Sequence, residues 1–217
     1  MDTGTPLPPG RKPILCYVTD RLALKAAPGT DALLAAIRSA AEAGVDWIQI
    51  REKDLEARAL AGLVRLALES TRGTGTKVLV NDRLDVAIAA GAAGVHLGEM
   101  SLPVERVADW RRSARFMDFQ IGASCHSTEG ALAAQRGGAD YIFFGPVFST
   151  PSKIAFGPPQ GIERLREVCM AVQIPVLAIG GVNLENASSC VEAGAAGIAA
   201  IRLFQEVPEA VVRLREK

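Results

Sequence analysis

The sequence predicts a single-domain α/β protein with the architecture of a (β/α)8 barrel, the TIM barrel. Eight short and almost wholly apolar segments recur along its 217 residues, which is typical of parallel strands that are covered on both faces. Amphipathic segments with apolar residues three and four positions apart lie between them, as in helices that pack against a sheet. A glycine-containing motif also recurs every two strand–helix units, and eight such units are the number that closes a barrel.

The strands can be placed from the apolar segments and the helices from the residues between them. The predicted strands are Ile14–Thr19, Trp47–Arg51, Lys77–Val80, Gly94–Leu97, Phe119–Ser124, Tyr141–Gly145, Pro175–Ile179 and Gly197–Ile201. Helical apolar faces are predicted at Leu33, Ile37 and Ala40, at Leu60, Leu63, Val64 and Ala67, at Ile162, Leu165, Val168, Cys169 and Val172, and at Val207, Ala210, Val211 and Leu214. An open, doubly wound sheet would show the same alternation of strand and helix.

The recurring motif favours the closed barrel over the open sheet. Its copies are Ala43–Trp47, Ala90–Gly94, Gly137–Tyr141 and Ala193–Gly197, and each ends a predicted helix and begins a predicted strand. The glycine at each helix end permits the left-handed conformation that commonly terminates a helix. Strands two, four, six and eight therefore share one kind of entry, as expected for a chain built from repeated units.

Composition narrows the classes of protein and ligand. The 24 basic and 24 acidic residues cancel, which argues against a broad nucleic-acid or membrane-surface partner, and no apolar run is long enough to span a bilayer. Met1–Pro13 is rich in Pro, Gly and Thr and predicts a short disordered lead before a barrel over 14–217. Cys16, Cys125, Cys169 and Cys190 form no C-x-x-C pair, so we expect reduced thiols in a cytoplasmic protein. Self-association into a homo-oligomer stays open.

Polar residues follow strands two and three, at the end of a barrel where active sites lie. Gln49, Arg51 and Lys53 alternate and point to one side, where two cations and an amide suit an anion. Asn81 and Asp82 follow strand three. They could cap the next helix, or the Asp82 carboxylate could hold a Mg²⁺ ion that bridges to a diphosphate.

Strands four and five end in further candidates. Ser101 precedes Leu102-Pro103 and predicts a helix cap, while Glu99 lies two residues earlier. Ser124 and His126 follow strand five, and we expect His126 to line the site because both histidines of the chain fall near strand ends.

The last three strands predict a phosphate site. The long loop 146–160 is rich in Pro, Gly and Ser and contains Lys153, which is typical of a lid at this end of a barrel. Gly181 follows strand seven, where the backbone can approach a phosphate closely, and Arg202 follows strand eight and could bind a phosphate with two hydrogen bonds. Two anion sites, one near Arg51 and one near Arg202, suggest a transferase.

At these residues the chain resembles the thiamine phosphate synthase and thiazole tautomerase superfamily, and most closely the synthases. The resemblance covers nearly the whole chain. It is carried by Tyr17–Asp20, Gln49–Lys53, Asn81–Arg83, Gly94–Gly98, Gly145–Phe148, 150–153 and Ala178–Val182.

The resemblance implies a reaction in which hydroxymethylpyrimidine diphosphate is coupled to thiazole phosphate with release of pyrophosphate. It implies that Gln49, Arg51, Lys53, Asn81, Ser124 and Lys153 hold the pyrimidine diphosphate. Thr150, Ser152, Gly181, Ile201 and Arg202 would surround the thiazole phosphate. Asp82 would bind Mg²⁺, and the three cations Arg51, Lys53 and Lys153 would stabilise the departing pyrophosphate.

Two positions depart from the synthase pattern. Ser101 stands where the family has a second metal-binding Asp, for which Glu99 is a speculative substitute, and Arg202 stands where a Ser usually meets the phosphate. Two alternatives follow: a thiazole tautomerase that uses His126 for acid–base chemistry, and a non-catalytic relative that only binds the ligand. A sugar-phosphate isomerase is disfavoured, because no pair of carboxylates at opposed strand ends is evident.

Overall fold

The computed structural model describes residues 12–24, 29–150, 158–207 and 209–215, so the predicted lead lies almost wholly outside the described residues. Eight parallel strands close into a barrel in chain order. They are β1 (Ile14–Val18), β2 (Trp47–Ile50), β3 (Lys77–Asn81), β4 (Gly94–Leu97), β5 (Gln120–Cys125), β6 (Tyr141–Phe144), β7 (Val176–Ile179) and β8 (Gly197–Ala200). The predicted fold is confirmed, and every predicted strand boundary agrees to within one residue.

Helices follow the strands around the outside of the barrel. The described residues form α1 (Thr30–Glu42), α2 (Ala57–Ser70), α3 (Leu84–Ala90), α4 (Val104–Ser113), α5 (Thr128–Gly137), α6 (Gly161–Ala171), α7 (Ala187–Glu192), α8 (Arg202–Glu206) and α9 (Ala210–Arg215). Over the described part of the chain, no helix combines the length and the apolarity needed to cross a membrane. The four glycines of the recurring motif, Gly44, Gly91, Gly138 and Gly194, all have positive φ, which confirms their predicted helix-ending conformation.

The predicted helix cap at Ser101 is wrong, and the helix cap, one of the two roles left open for Asn81 and Asp82, is not observed. Helix α4 begins after Pro103 with no side-chain cap, because the Ser101 hydroxyl is used by Asp82 instead. Helix α3 begins after Arg83, so neither Asn81 nor Asp82 caps it. Asp82 adopts a left-handed φ of 61°, a conformation that Asp tolerates better than most residues, and its carboxylate is occupied within the candidate site.

The strands separate two apolar regions because alternate side chains point inward and outward. The outward side chains pack under the helices. The inward apolar side chains form a smaller cluster of buried residues: Cys16, Val18, Leu79, Tyr141, Phe143, Leu177 and Ala199. Gly122 lies in register with Tyr141, and a Cβ at Gly122 would lie 2.1 Å from the phenol ring. The absence of a side chain at Gly122 thus allows the Tyr141 ring to fill the barrel interior.

Candidate active site

A chain of amide and carboxylate groups crosses the carboxyl ends of β2 and β3. The Gln49 amide Nε2 donates to Asn81 Oδ1 over 2.8 Å, and Asn81 Nδ2 donates to Asp82 Oδ2 over 2.8 Å. A carboxylate can only accept, so Asp82 fixes the orientation of the Asn81 amide, which in turn fixes that of Gln49. The result is that Gln49 Oε1, in a side chain only 2% exposed, is a buried acceptor without a hydrogen-bond partner among the described residues.

Asp82 is held from its other side by the loop that follows β4. The backbone N–H of Gly98 donates to Asp82 Oδ1 over 3.0 Å, and the Ser101 hydroxyl donates to the same oxygen. Burial by itself raises the pKa of Asp82, but the hydrogen bonds from Ser101, Gly98 and Asn81 and the charge of Lys53 outweigh it and lower the pKa below its usual value. Asp82 is therefore ionised at neutral pH.

The cations Arg51 and Lys53 follow β2, and each acts electrostatically on a residue of the candidate site. Lys53 is close enough for its charge to stabilise ionised Asp82, and the charge of Arg51 acts on His96 inside the barrel. Their predicted common orientation towards one anion stays a prediction.

A buried carboxylate supports the loop that carries these cations. Glu52, only 5% exposed, accepts from the Thr19 hydroxyl over 2.6 Å and from the Arg21 guanidinium over 3.1 Å. Thr19 Oγ1 in turn accepts from the backbone N–H of Arg51 over 2.9 Å. The backbone of Arg51 is thus fixed at the end of β2 by contacts within the protein.

Below this rim, His96 lies inside the barrel. Its Nε2 is 2.9 Å from Ser124 Oγ, its Nδ1 is 3.2 Å from the Tyr141 hydroxyl, and its ring lies against Phe143 with 4.1 Å between ring centroids. Burial lowers the pKa of His96 to about 3; the charge of Asp82 opposes this and that of Arg51 adds to it. His96 is therefore a neutral imidazole at the pH of the cell.

Because His96 is buried and neutral, its contribution to folding should be lost in acid. Unfolded His binds a proton below about pH 6.5, whereas folded His96 stays neutral down to about pH 3. The stabilisation is thus fully present above pH 6.5 and declines as the pH falls. One proton corresponds to about 1.4 kcal/mol per pH unit, so we expect about 2 kcal/mol of the free energy of unfolding to be lost between pH 6.5 and pH 5 through this residue.

Urea unfolding at the two pH values checks this expectation. His96→Gln should lose less stability between pH 6.5 and 5 than the parent protein. An equal pH dependence of the parent and His96→Gln would contradict it.

His126 lines a cavity at the carboxyl ends of β4 and β5, and its predicted place in the substrate site stays a prediction. The cavity of about 440 Å³ lies between the ends of β4 and β5 and the first turns of α4 and α5, and Glu99, Ser101, Ser124 and His126 are among its lining residues. His126 Nδ1 hydrogen-bonds the carbonyl oxygen of Gly145, and its Nε2 is 4.0 Å from Glu99 Oε1. Glu99 thus lies near His126, and its speculative role as a metal ligand stays a prediction.

The residues predicted to form the phosphate site follow β7 and β8. Helix α8 begins at Arg202, directly after β8. Gly181 has a left-handed φ of 69°, and a Cβ there would lie 2.6 Å from the Ser149 carbonyl oxygen, so this loop requires glycine. Ile201 packs against the inward apolar cluster, and Arg202 is exposed. Thr150 closes the described part of its loop, and Ser152 and Lys153 lie outside the described residues.

Three contributions to the site are not evident from the sequence alone. The prediction treats His96 only as a residue near a strand end, includes Tyr141 in a strand and leaves Glu52 without a role. Strand register could have indicated the first of these, since His96 pairs with Asn81 on one side and Gly122 on the other, which places it among inward-facing residues. The burial of Glu52 depends on the loop after β1, which no periodicity describes.

The side chains of the candidate site can be considered as ligands for a divalent cation. In the described part of the chain, no group of three His, Cys, Asp or Glu side chains could hold a metal. Mg²⁺, however, is commonly bound by one or two carboxylates together with waters and substrate phosphates. The ionised Asp82, within electrostatic reach of Lys53, fits that mode of binding.

The fold and these side chains define a (β/α)8-barrel protein with cations and a carboxylate gathered at the carboxyl ends of its strands. Residues 15–204 match the family described as thiamine monophosphate synthase. The thiamine-phosphate synthase of Roseiflexus castenholzii is 41% identical over 94% of this chain and 86% of its own length, and a Geobacter sulfurreducens relative is 44% identical over 93% and 91%. The solved thiamine phosphate pyrophosphorylase of Pyrococcus furiosus superposes with a TM-score of 0.79 at 34% identity, covering 95% of this chain and 96% of that one. The chain therefore belongs to the thiamine monophosphate synthase family.

Proposed function

We propose that this protein is a thiamine-phosphate synthase that joins hydroxymethylpyrimidine diphosphate to thiazole phosphate, releases pyrophosphate, requires Mg²⁺ and works in the cytoplasm. The observation that carries the proposal is the ionised Asp82 carboxylate, fixed by Ser101 and Gly98 and lying within electrostatic reach of Lys53. A lone carboxylate beside cations suits a diphosphate accompanied by a divalent ion. The family of the chain supports the same substrates.

In the proposed reaction the bond between the pyrimidine methylene carbon and the diphosphate oxygen breaks, and a bond from the thiazole nitrogen to that carbon forms. The electron pair of the broken bond leaves with pyrophosphate. A cation bound at Asp82 would neutralise part of the charge on this leaving group. Arg51 and Lys53 act on the same charge as it develops, and Lys153 is proposed to join them.

The remaining residues bind and orient the two substrates. Gln49 Oε1 is a buried acceptor that lacks a partner among the described residues, so an N–H group of the pyrimidine would satisfy it. Asn81 holds Gln49 and Asp82 in place through its two hydrogen bonds. The loop at Gly181 and the start of α8 at Arg202 are proposed to bind the phosphate of the thiazole, the second substrate.

The direct experiment is to incubate the purified protein with both substrates, with and without Mg²⁺, and to measure thiamine phosphate and pyrophosphate. Equal amounts of the two products that depend on Mg²⁺ are expected. No thiamine phosphate under any condition, together with failure to complement a thiamine-requiring strain, would indicate the non-catalytic relative instead.

A tautomerase is the second candidate, and His126 is the observation that favours it. Its imidazole lines the cavity and has Glu99 4.0 Å from Nε2, which is a suitable pair for moving a proton. A tautomerase should work without Mg²⁺ and should lose its activity in His126→Ala. The synthase should tolerate that substitution better than the loss of Asp82.

Arg202→Ala should weaken binding of the thiazole phosphate. Removal of a charged hydrogen bond costs about 1.5–3 kcal/mol, which corresponds to roughly a 10- to 100-fold rise in the dissociation constant. Calorimetric titration of the thiazole phosphate measures this, with Arg166→Ala on α6 as the control because Arg166 pairs with Glu163 on its own helix. Unchanged affinity in Arg202→Ala would remove Arg202 from the phosphate site.

A further inference from the structure

A line of three polar groups runs from the barrel interior to the floor of the cavity. The Tyr141 hydroxyl lies 3.2 Å from His96 Nδ1, and His96 Nε2 lies 2.9 Å from Ser124 Oγ. Tyr141 and His96 are each only 1% exposed, whereas Ser124 lines the cavity. Each group can act as donor or acceptor, so the direction of the two hydrogen bonds must be decided from the surroundings.

The surroundings of Tyr141 decide the direction of the first hydrogen bond. Its ring is packed against Trp47, with ring centroids 4.6 Å apart, and against Phe143 at 5.5 Å. Among the described residues, the hydrogen-bond partner of the phenol is His96 Nδ1. A buried O–H needs an acceptor more than a buried phenol oxygen needs a donor, so Tyr141 donates its proton to Nδ1.

The direction of the second hydrogen bond follows from the first. A neutral imidazole carries one proton, and because Nδ1 accepts from Tyr141, that proton is on Nε2. Nε2 therefore donates to Ser124 Oγ, and the Ser124 proton is left to point elsewhere. The low pKa of His96 agrees with a neutral ring.

We propose that Tyr141 and His96 are positioning residues that make Ser124 a hydrogen-bond donor towards the bound substrate. Ser124 then selects a ligand atom with a lone pair, such as an unprotonated ring nitrogen, and disfavours an N–H at the same place. The identity of the substrate as a pyrimidine diphosphate rests on the proposed function. The direction of the two hydrogen bonds is independent of the proposed function, because it is set by residues within the protein.

The tautomer of His96 can be measured without any ligand. Long-range ¹H–¹⁵N correlation spectra of the full chain labelled with ¹⁵N-histidine should show His96 protonated on Nε2 at neutral pH. The chain has two histidines, so His126→Gln assigns the signals. A predominant Nδ1–H form of His96 would overturn the proposal.

Tyr141→Phe tests the origin of the tautomer, because it removes only the hydroxyl. We expect the strict preference for Nε2–H to be lost in this variant. The matched control is Tyr17→Phe on β1, whose hydroxyl accepts from Gln205 over 3.1 Å and which should leave the His96 spectrum unchanged. An unchanged His96 spectrum in Tyr141→Phe would show that Tyr141 does not set the tautomer.

A double-mutant cycle tests the consequence for the substrate. Tyr141→Phe should raise KM for the pyrimidine diphosphate by about 5- to 10-fold, the scale of one neutral hydrogen bond, with little change in kcat. In a Ser124→Ala background the same substitution should have no further effect, because Tyr141 acts through Ser124. Additive effects would refute the positioning role. If no variant and no parent protein makes thiamine phosphate, the proposed function fails while the spectrum still decides the tautomer.

Discussion

Asp82→Asn is expected to lower kcat of the Mg²⁺-dependent reaction by at least about 100-fold, the scale of removing one strong electrostatic stabiliser of a transition state. Asparagine keeps the size of the side chain and one acceptor oxygen, but it removes the charge that the Ser101, Gly98 and Asn81 hydrogen bonds stabilise. The loss should not be restored by high concentrations of either substrate. Steady-state production of pyrophosphate over a range of Mg²⁺ concentrations measures it.

The control for Asp82→Asn is Asp85→Asn, three residues further along the chain. Asp85 is an exposed carboxylate that pairs with Arg83 at 2.5 Å, so its substitution removes one negative charge outside the candidate site. It should leave the Mg²⁺ dependence unchanged. Retained Mg²⁺-dependent release of pyrophosphate in Asp82→Asn would exclude Asp82 as the metal ligand.

The positions of the strands in this barrel can be predicted from the sequence because the residue patterns that mark them are local. Strands such as Tyr141–Phe144 are apolar throughout, since both faces are covered, and a glycine such as Gly138 marks the helix end before them. These signals need no knowledge of the rest of the chain. They place all eight strands to within one residue.

The candidate site is predictable only in part, because the hydrogen-bond partners of its side chains are distant in sequence. Ser101 has the sequence context of a helix cap, yet its hydroxyl is held by Asp82, nineteen positions away. Local capping rules cannot foresee that a stronger, charged acceptor will be present. The location of His126 at the end of β5 follows from the sequence, because the position of a strand end is a local property.

The same limit explains why the hydrogen bond between Tyr141 and His96 cannot be predicted from the sequence. The two residues are 45 positions apart, and only the register of β4, β5 and β6 brings them together through Gly122. A tyrosine in an apolar strand is usually a packing residue. The contact of Tyr141 with His96 depends in addition on Gly122 in the neighbouring strand.

Arg51→Ala is expected to raise KM for the pyrimidine diphosphate by about 10- to 100-fold, since it removes a charged group from a diphosphate. Arg51→Lys should recover only part of the affinity, because an ammonium group cannot form the planar pair of hydrogen bonds that a guanidinium forms. Steady-state kinetics with varied pyrimidine diphosphate and saturating thiazole phosphate measure both variants.

Arg72→Ala is the matched control for Arg51→Ala. Arg72 follows the last turn of α2 and is 3.8 Å from Glu69, at the end of the barrel opposite to the hollow, so its loss changes the net charge equally. If the two alanine variants raised KM by the same factor, the effect would be one of overall charge and not of a diphosphate site. A rise confined to Arg51→Ala would instead locate the diphosphate at the end of β2, where Thr19 and Glu52 already hold the backbone of Arg51 in position.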